Sequence, residues 1–94
     1  SDLKAQELER RIDEVLYYVW DPIGVSNTPE ARGEYSSYTK TILKYVLEED
    51  VKKVAFQLNN IELNSMGFTA NEIKNMKVAE LLVDFKHAVE EGLK

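Results

Sequence analysis

Residues 20–25 read Trp20-Asp21-Pro22-Ile23-Gly24-Val25, and this stretch decides where the first helix of the chain must end. Proline disfavours helical geometry in the residue before it, so the chain has to turn after Trp20. An aromatic residue, an acid, a proline and a glycine stand where an ordinary loop uses small polar residues. We therefore predict an ordered corner here and not a slack connection.

Helical periodicity lies on both sides of this corner. Before it, apolar residues recur at spacings of three and four, which predicts an amphipathic helix over about residues 3–19. After it, Thr28 and Pro29 form a helix start, because a hydroxyl suits the N-cap and proline suits the first helical position. The apolar positions are Leu8, Ile12, Val15, Leu16 and Val19 in the first helix, and Ala31, Tyr35, Tyr38, Ile42 and Tyr45 in the second, widened by Leu43, Val46 and Leu47.

Two further helices follow in the second half of the chain. Asp50 is placed to cap the third helix, which ends at Gly67 as a left-handed C-terminal cap. Thr69 and Glu72 have the spacing of a capping box, so we expect the fourth helix to begin at Ala70.

The apolar residues of the fourth helix define two faces. Ile73 and Met76 share one face, and the residues from Val78 onward share another. We therefore predict a break or kink within residues 75–77 and an end near Glu91. The members of the second face are Val78, Leu81, Leu82, Phe85, Ala88 and Val89.

The sequence has no alternating strand-like run, repeat or low-complexity tract. This pattern predicts an all-α fold, a compact four-helix bundle with short loops, or five helical pieces if the fourth helix is broken. A chain of 94 residues has the length of one domain, so we assign residues 1–94 to a single helical domain.

Composition favours a small cytoplasmic protein. Hydrophobic residues make up 44% of the chain and charged residues 31%, a balance typical of globular domains. With no cysteine there is no disulfide framework and no thiolate zinc site, which favours a reducing compartment. No stretch approaches the roughly 20 apolar residues that cross a bilayer, so we expect neither a signal peptide nor a membrane partner.

The chain is acidic. Seventeen acidic and twelve basic residues give a formal net charge of -5, which repels phosphate backbones and attracts basic proteins. We therefore predict no nucleic-acid partner. Moderate acidity also serves solubility, so charge alone does not identify a protein partner.

Three short segments around the second helix start carry a family resemblance. They are Trp20-Asp21-Pro22-Ile23-Gly24, Pro29-Glu30-Ala31 and Glu34-Tyr35. In this combination the first half of the chain resembles a group of small uncharacterised bacterial proteins, the YugE-like proteins of bacilli. The resemblance implies a compact helical cytoplasmic protein of bacterial origin without an assigned activity. Where an acid-rich Glu-Tyr-Asp continuation is expected, this chain has residues 34–38 as Glu-Tyr-Ser-Ser-Tyr, so no shared acidic site is implied.

Asp21, Glu30 and Glu34 are the candidate catalytic acids. If the corner folds over the start of the second helix, their carboxylates converge for acid–base chemistry or for a divalent ion. The alternative is that they are solvated acids at a helix N-terminus, paired with nearby arginines. His87 is the only histidine, and no nucleophile motif surrounds it, which indicates a surface histidine. We assign no catalytic residue, no metal site and no cofactor.

The tyrosines suggest a binding surface. Tyr17 and Tyr18 are consecutive, so on a helix their rings point about 100° apart and at least one is partly exposed. Trp20 either packs against Gly33 as a structural clasp or faces solvent beside Tyr18. The candidate binding patch consists of Tyr18, Trp20, Asp21, Ile23, Val25, Glu30 and Glu34.

Two classes of function remain open. The first is a non-enzymatic interaction module that docks a basic protein through this patch; an immunity protein that neutralises a basic nuclease toxin is one specific form. The second is a small metal-dependent or hydrolytic enzyme that uses the three acids. Val83 lies about 100° from Leu82 and is expected to protrude from a monomer, which makes a homodimer a further alternative.

Overall fold

Four α-helices account for most of the chain in a computed structural model that describes residues 2–20, 32–65, 67 and 69–92, except for the side chains of residues 2, 32–36 and 65. Helix α1 spans Asp2–Val15, α2 spans Arg32–Leu47, α3 spans Val51–Asn60 and α4 spans Glu72–Glu90. Two π-helical segments, Leu16–Trp20 and Ile61–Ser65, directly continue α1 and α3. The predicted all-α four-helix bundle is confirmed. The predicted helix start at Thr28 lies outside the described residues.

Helix α4 is the centre of the bundle, because it contacts each of the other three helices and the first π-helical segment. Helix α2 contacts α1 and α3, whereas α1 and α3 make no close contact within the described ranges. The radius of gyration is 12.7 Å, close to the roughly 12 Å expected of a folded chain this long. The buried apolar core consists of Leu8, Ile12, Val15, Leu16, Trp20, Ile42, Val46, Val54, Ala55, Leu58, Ile61, Val78, Ala79 and Leu82.

The apolar stripe of α1 is buried as predicted, except at its last position. Val19 is 50% exposed, and Trp20 takes the inward position instead. The physical reason is the π-helical segment Leu16–Trp20. Hydrogen bonds from i to i+5 place more residues in each turn, so the next inward position comes one residue later than a regular α-helix would put it.

The start of α4 differs from the predicted capping box at Thr69. The N-cap is Asn71, whose side-chain oxygen accepts a hydrogen bond from the Lys74 backbone N–H at 3.1 Å. The Asn71 backbone N–H donates to Glu62 Oε1 at 3.2 Å, so the turn is bound to the end of the preceding helix. The helix therefore begins at Glu72 and not at Ala70. The predicted Asp50 cap of α3 is confirmed by its acceptance of the Lys53 N–H at 3.1 Å.

The predicted break within residues 75–77 is wrong, because α4 is continuous from Glu72 to Glu90. Its buried side contains two polar residues, Asn75 at 0% exposure and Lys86 at 6%. With these included, the inward positions follow one uninterrupted helical stripe. Ile73 is 75% exposed, so the apolar face assigned to it points to solvent.

Two apolar side chains differ in burial from the prediction. Val83 is 7% exposed and not protruding, because a helix contacted by three others buries a wide face. Leu47, expected to widen the apolar face of α2, is 48% exposed at the last residue of that helix. The homodimer alternative therefore loses the argument that rested on Val83.

Candidate interaction surface at the end of the first helix

The π-helical segment Leu16–Trp20 separates two consecutive tyrosines. Tyr17 is buried at 3% exposure, and Tyr18 is 61% exposed. Their ring centroids lie 4.7 Å apart with planes at 81°, an edge-to-face pair. Such pairs contribute about 0.5 to 1.5 kcal/mol beyond simple burial. The expectation that both rings cannot face the core is confirmed, and the exposed ring rests against a buried one.

Trp20 is fully buried. Its indole Nε1–H donates to Asn75 Oδ1 at 2.8 Å, and its backbone carbonyl accepts from Lys74 Nζ at 2.7 Å. A cation at the last carbonyl of a helical segment also favours the helix dipole. Of the two placements considered for this ring, solvent exposure beside Tyr18 is not what the structure shows. The proposed neighbour of the ring, Gly33, belongs to the side-chain positions outside the described set.

Asn75 connects Trp20 to the other helices. Its Nδ2 donates to Glu62 Oε1 at 2.6 Å and to Asn59 Oδ1 at 2.7 Å. Glu62 is itself only 5% exposed, and Asn75 is 0% exposed. Both sides of the Asn75 amide are therefore satisfied, as burial of a polar group requires. This network ties the end of α1 to α3 and α4.

Sequence reasoning missed the Asn75 network, although a signal for it was present. Asn75, Val78, Ala79 and Leu82 are spaced three, four and seven residues apart, as on one face of a helix. An asparagine at an apolar position was interpreted as a break in the face. The indole N–H of Trp20, a donor without an acceptor in the predicted core, was the group that required it.

A groove lies beside Tyr18 on the surface. It has a volume of about 460 Å³, and its apolar part is formed by Val15, Tyr18, Val19 and Phe85. Its rim is charged and comes from the preceding turns of α1, at Arg10, Arg11 and Glu14. We call Tyr18, Val19 and this groove the Tyr18 surface.

The charged rim of the Tyr18 surface is internally paired. Arg10 donates to Glu7 at 2.6 Å and to Glu14 at 3.1 Å, and Arg11 donates to Glu7 at 2.8 Å. The hydrogen bonds from Arg10 and then Arg11 lower the pKa of Glu7, and the bond to Glu7 raises the pKa of Arg10. The Arg11 guanidinium also lies 5.7 Å from the Phe85 ring centroid, within cation–π range. These contacts hold the arginines in place along the groove.

The remaining members of the predicted patch are not among the described side chains. Asp21, Ile23, Val25 and Glu30 lie in residues 21–31, and Glu34 lies in α2 with its side chain outside the described set. The predicted convergence of the three acids therefore lies outside the described side chains. Of the predicted patch, Tyr18 is on the surface and Trp20 is in the core.

A second cluster of charged groups joins the turn between α2 and α3 to α4. Lys86 Nζ donates to Glu49 Oε2 at 2.7 Å and to Glu90 Oε2 at 2.5 Å, and His87 Nε2 lies 3.2 Å from Glu49 Oε1. Glu49, Glu90 and His87 are close enough together to hold a metal ion. The Lys86 ammonium, however, already lies between the two carboxylates, and a metal there would meet like-charge repulsion. The arrangement fits a structural ion-pair network, and His87 is on the surface as predicted.

Comparison with family models, with curated proteins and with solved structures finds no match to this chain. The resemblance to the YugE-like proteins therefore stays a prediction. Among the described residues, no helix is both long and apolar enough to cross a membrane.

Proposed function

We propose that this protein is a non-enzymatic interaction module that docks a protein partner on the Tyr18 surface. The observation that carries the proposal is the 61% exposed ring of Tyr18 next to the 50% exposed Val19, directly beside the buried Trp20. Exposed tyrosine is a favourable contact residue, because it offers a large apolar area and a polar tip at low conformational cost. Here the ring also rests on Tyr17.

The anchoring of this segment supports the proposal. Trp20 is bound through Asn75 to α3 and α4, so the residues just before it belong to the rigid part of the bundle. A partner that binds a preorganised surface loses less conformational entropy on association. The groove between Tyr18 and Phe85 offers a recess for one apolar side chain of that partner.

We propose a basic partner. The net charge is -5, and at the groove Glu14 and the adjacent Glu7 neutralise Arg10 and Arg11 through ion pairs. The predicted acids Asp21, Glu30 and Glu34 would extend the same charge, together with the apolar Ile23 and Val25. The specific form of this proposal is an immunity protein that neutralises a basic nuclease toxin. We also propose that the protein is bacterial and cytoplasmic and belongs to the YugE-like group.

The test begins with capture and ends with a defined complex. A photo-crosslinking amino acid at Val19 identifies the bound protein, which is then purified and titrated calorimetrically against the wild-type chain. We expect Tyr18→Ala to weaken binding at least about tenfold, as replacement of an interface anchor does. Leu63→Ala is the matched control, because Leu63 is 51% exposed and does not line the groove beside Tyr18.

Two results would overturn the proposal. Equal binding by wild type and Tyr18→Ala would remove the Tyr18 surface, and a partner with an acidic contact face would remove the assigned charge. Trp20 is left unchanged in this experiment, because replacing a fully buried ring perturbs the fold as well as any contact.

A further inference from the structure

A second surface, formed by α3 and α4, contains exposed apolar side chains. Phe56 on α3 is 59% exposed, and Ile73 and Met76 on α4 are 75% and 37% exposed. Scattered exposed apolar residues are ordinary, whereas a contiguous group of them points to an interaction site. None of these residues takes part in the proposed function.

Two of these residues, Ile73 and Met76, line a groove between the two helices. Asn59 and Ala55 of α3 line one side of this groove, and Ile73, Met76 and Glu80 are among the α4 residues that line the other. Its volume is about 460 Å³. Phe56 lies on the same helix three residues before Asn59, which makes the two side chains neighbours on the helix surface. A projecting ring therefore lies next to a recess.

A projection beside a recess is what a two-fold symmetric contact requires. In such a contact the same patch serves both molecules, so each patch must supply both the inserted group and the site that receives it. A different partner would need only one of the two. This pairing of shapes on one face favours a second copy of the chain as the occupant.

The charges on this face are also complementary to those of a second copy. The α3 side carries the exposed Lys52, and the α4 side carries the exposed Glu72 and Glu80 with one base, Lys77. Lys52, Phe56 and Asn59 follow one helical stripe, and Glu80, Met76 and Ile73 follow another with the same spacing in reverse. A two-fold rotation about an axis along the groove places the basic side of one molecule over the acidic side of the other.

The relative direction of the two helices sets the pairing. Glu62 bonds to Asn71, and Asn59 bonds to Asn75, so α3 and α4 run antiparallel at matching heights. The rotation keeps these heights. Asn59 is level with Asn75, so Lys52, Phe56 and Asn59 of one molecule lie about two residues, or about 3 Å, along the axis from Glu80, Met76 and Ile73 of the second copy, in that order. Side chains of this length span that offset.

We infer that the face formed by Lys52, Phe56 and Asn59 of α3 and Ile73, Met76 and Glu80 of α4 is a homodimer interface. Phe56 of each copy inserts beside Met76 of the other, and Lys52 pairs with Glu80 across the contact. This contact does not include the Tyr18 surface.

Sedimentation velocity of the purified chain from about 10 µM to about 1 mM tests the inference, since contacts of modest size associate in this range. We expect the mean mass to rise toward twice that of the monomer, and Phe56→Asp to weaken self-association at least about tenfold. Circular dichroism confirms that this exposed substitution leaves the helices intact. A monomer at every concentration, or a dimer that Phe56→Asp does not weaken, would overturn the inference.

Charge reversal supplies a sharper arm. Lys52→Glu and Glu80→Lys should each weaken self-association, whereas an equimolar mixture of the two variants should form a heterodimer in which both ion pairs are present, one native and one reversed. No recovery in the mixture would show that the order of contacts is wrong. Leu3→Asp introduces the same charge as Phe56→Asp at a 77% exposed apolar residue on α1 and should leave the mass unchanged.

Discussion

Replacing Asn75 by alanine should destabilise the protein far more than the loss of one small polar side chain suggests. The substitution removes the acceptor of the buried Trp20 indole N–H and the donor to Glu62 and Asn59. Leaving the indole N–H unsatisfied costs about 1 to 3 kcal/mol, and each of the two donated bonds contributes about 1 kcal/mol. We expect a loss of about 3 to 5 kcal/mol, a large part of the roughly 5 to 15 kcal/mol that stabilises a typical domain.

Urea unfolding followed by far-ultraviolet circular dichroism measures this loss. A double-mutant cycle with Trp20→Phe isolates the indole contact, because phenylalanine keeps much of the ring and removes the N–H. We expect the two substitutions to be coupled by about 1 to 2 kcal/mol. Asn64→Ala is the matched control, since Asn64 is exposed and its removal should change stability by less than about 0.5 kcal/mol.

A loss of less than about 1 kcal/mol in Asn75→Ala, the value of one ordinary hydrogen bond, would contradict the prediction. Additive effects of Asn75→Ala and Trp20→Phe would contradict it as well. The single tryptophan offers an independent check. Its emission in the native state should be blue-shifted and resistant to acrylamide quenching, whereas a ring at the surface would be quenched readily.

Three further predictions address the ion-pair network, the helix cap and the candidate acids. The hydrogen bond from Lys86 lowers the pKa of Glu49 from its ordinary 4.5, so the pair stabilises the fold above that pH. This stabilisation is lost as the pH falls through the lower pKa of the folded state. Lys86→Met should therefore make stability in urea less sensitive to acid, and an unchanged pH profile would contradict this. Asn71→Ala should cost about 1 kcal/mol in thermal or urea unfolding and Thr69→Ala almost nothing, an order that a capping box at Thr69 would reverse. Thermal-shift titration with Mg²⁺, Mn²⁺ and Ca²⁺ should leave the melting temperature unchanged; a saturable rise that is lost in Glu30→Gln would favour the enzyme alternative instead.

Much of the fold follows from the sequence, because local signals and apolar spacing agree over most of it. The predicted apolar positions Leu8, Ile12, Val15 and Leu16 are buried, and Asp50 caps α3, as the sequence predicts. The prediction for Val19 failed because it assumed a constant helical period, and the chain changes to a π-helix at Leu16. Nothing in a count of apolar spacings signals that change.

The errors in α4 have another origin. Asn75 and Lys86 are polar, so a search for apolar faces excluded them from the core, and the face appeared to break. Their burial depends on partners distant in sequence, Trp20 for one and Glu49 for the other. The same holds for the candidate site, where Tyr18 was correctly expected at the surface and Trp20 could be placed only with knowledge of its acceptor.

The Asn75 amide also aligns α1, α3 and α4 along the bundle axis. Apolar contacts alone do not fix the relative height of the helices, because one aliphatic side chain substitutes well for another when a helix slides. The indole N–H of Trp20, in contrast, needs a specific acceptor. A shift of α4 by one residue would place Lys74, whose side chain has no acceptor, or Met76, whose sulfur is a weak acceptor, opposite the indole. A single buried asparagine specifies the register of coiled coils in this way. Asn75 thus specifies the register of the helices. An isosteric apolar residue in its place would keep the helices while leaving their relative height unspecified.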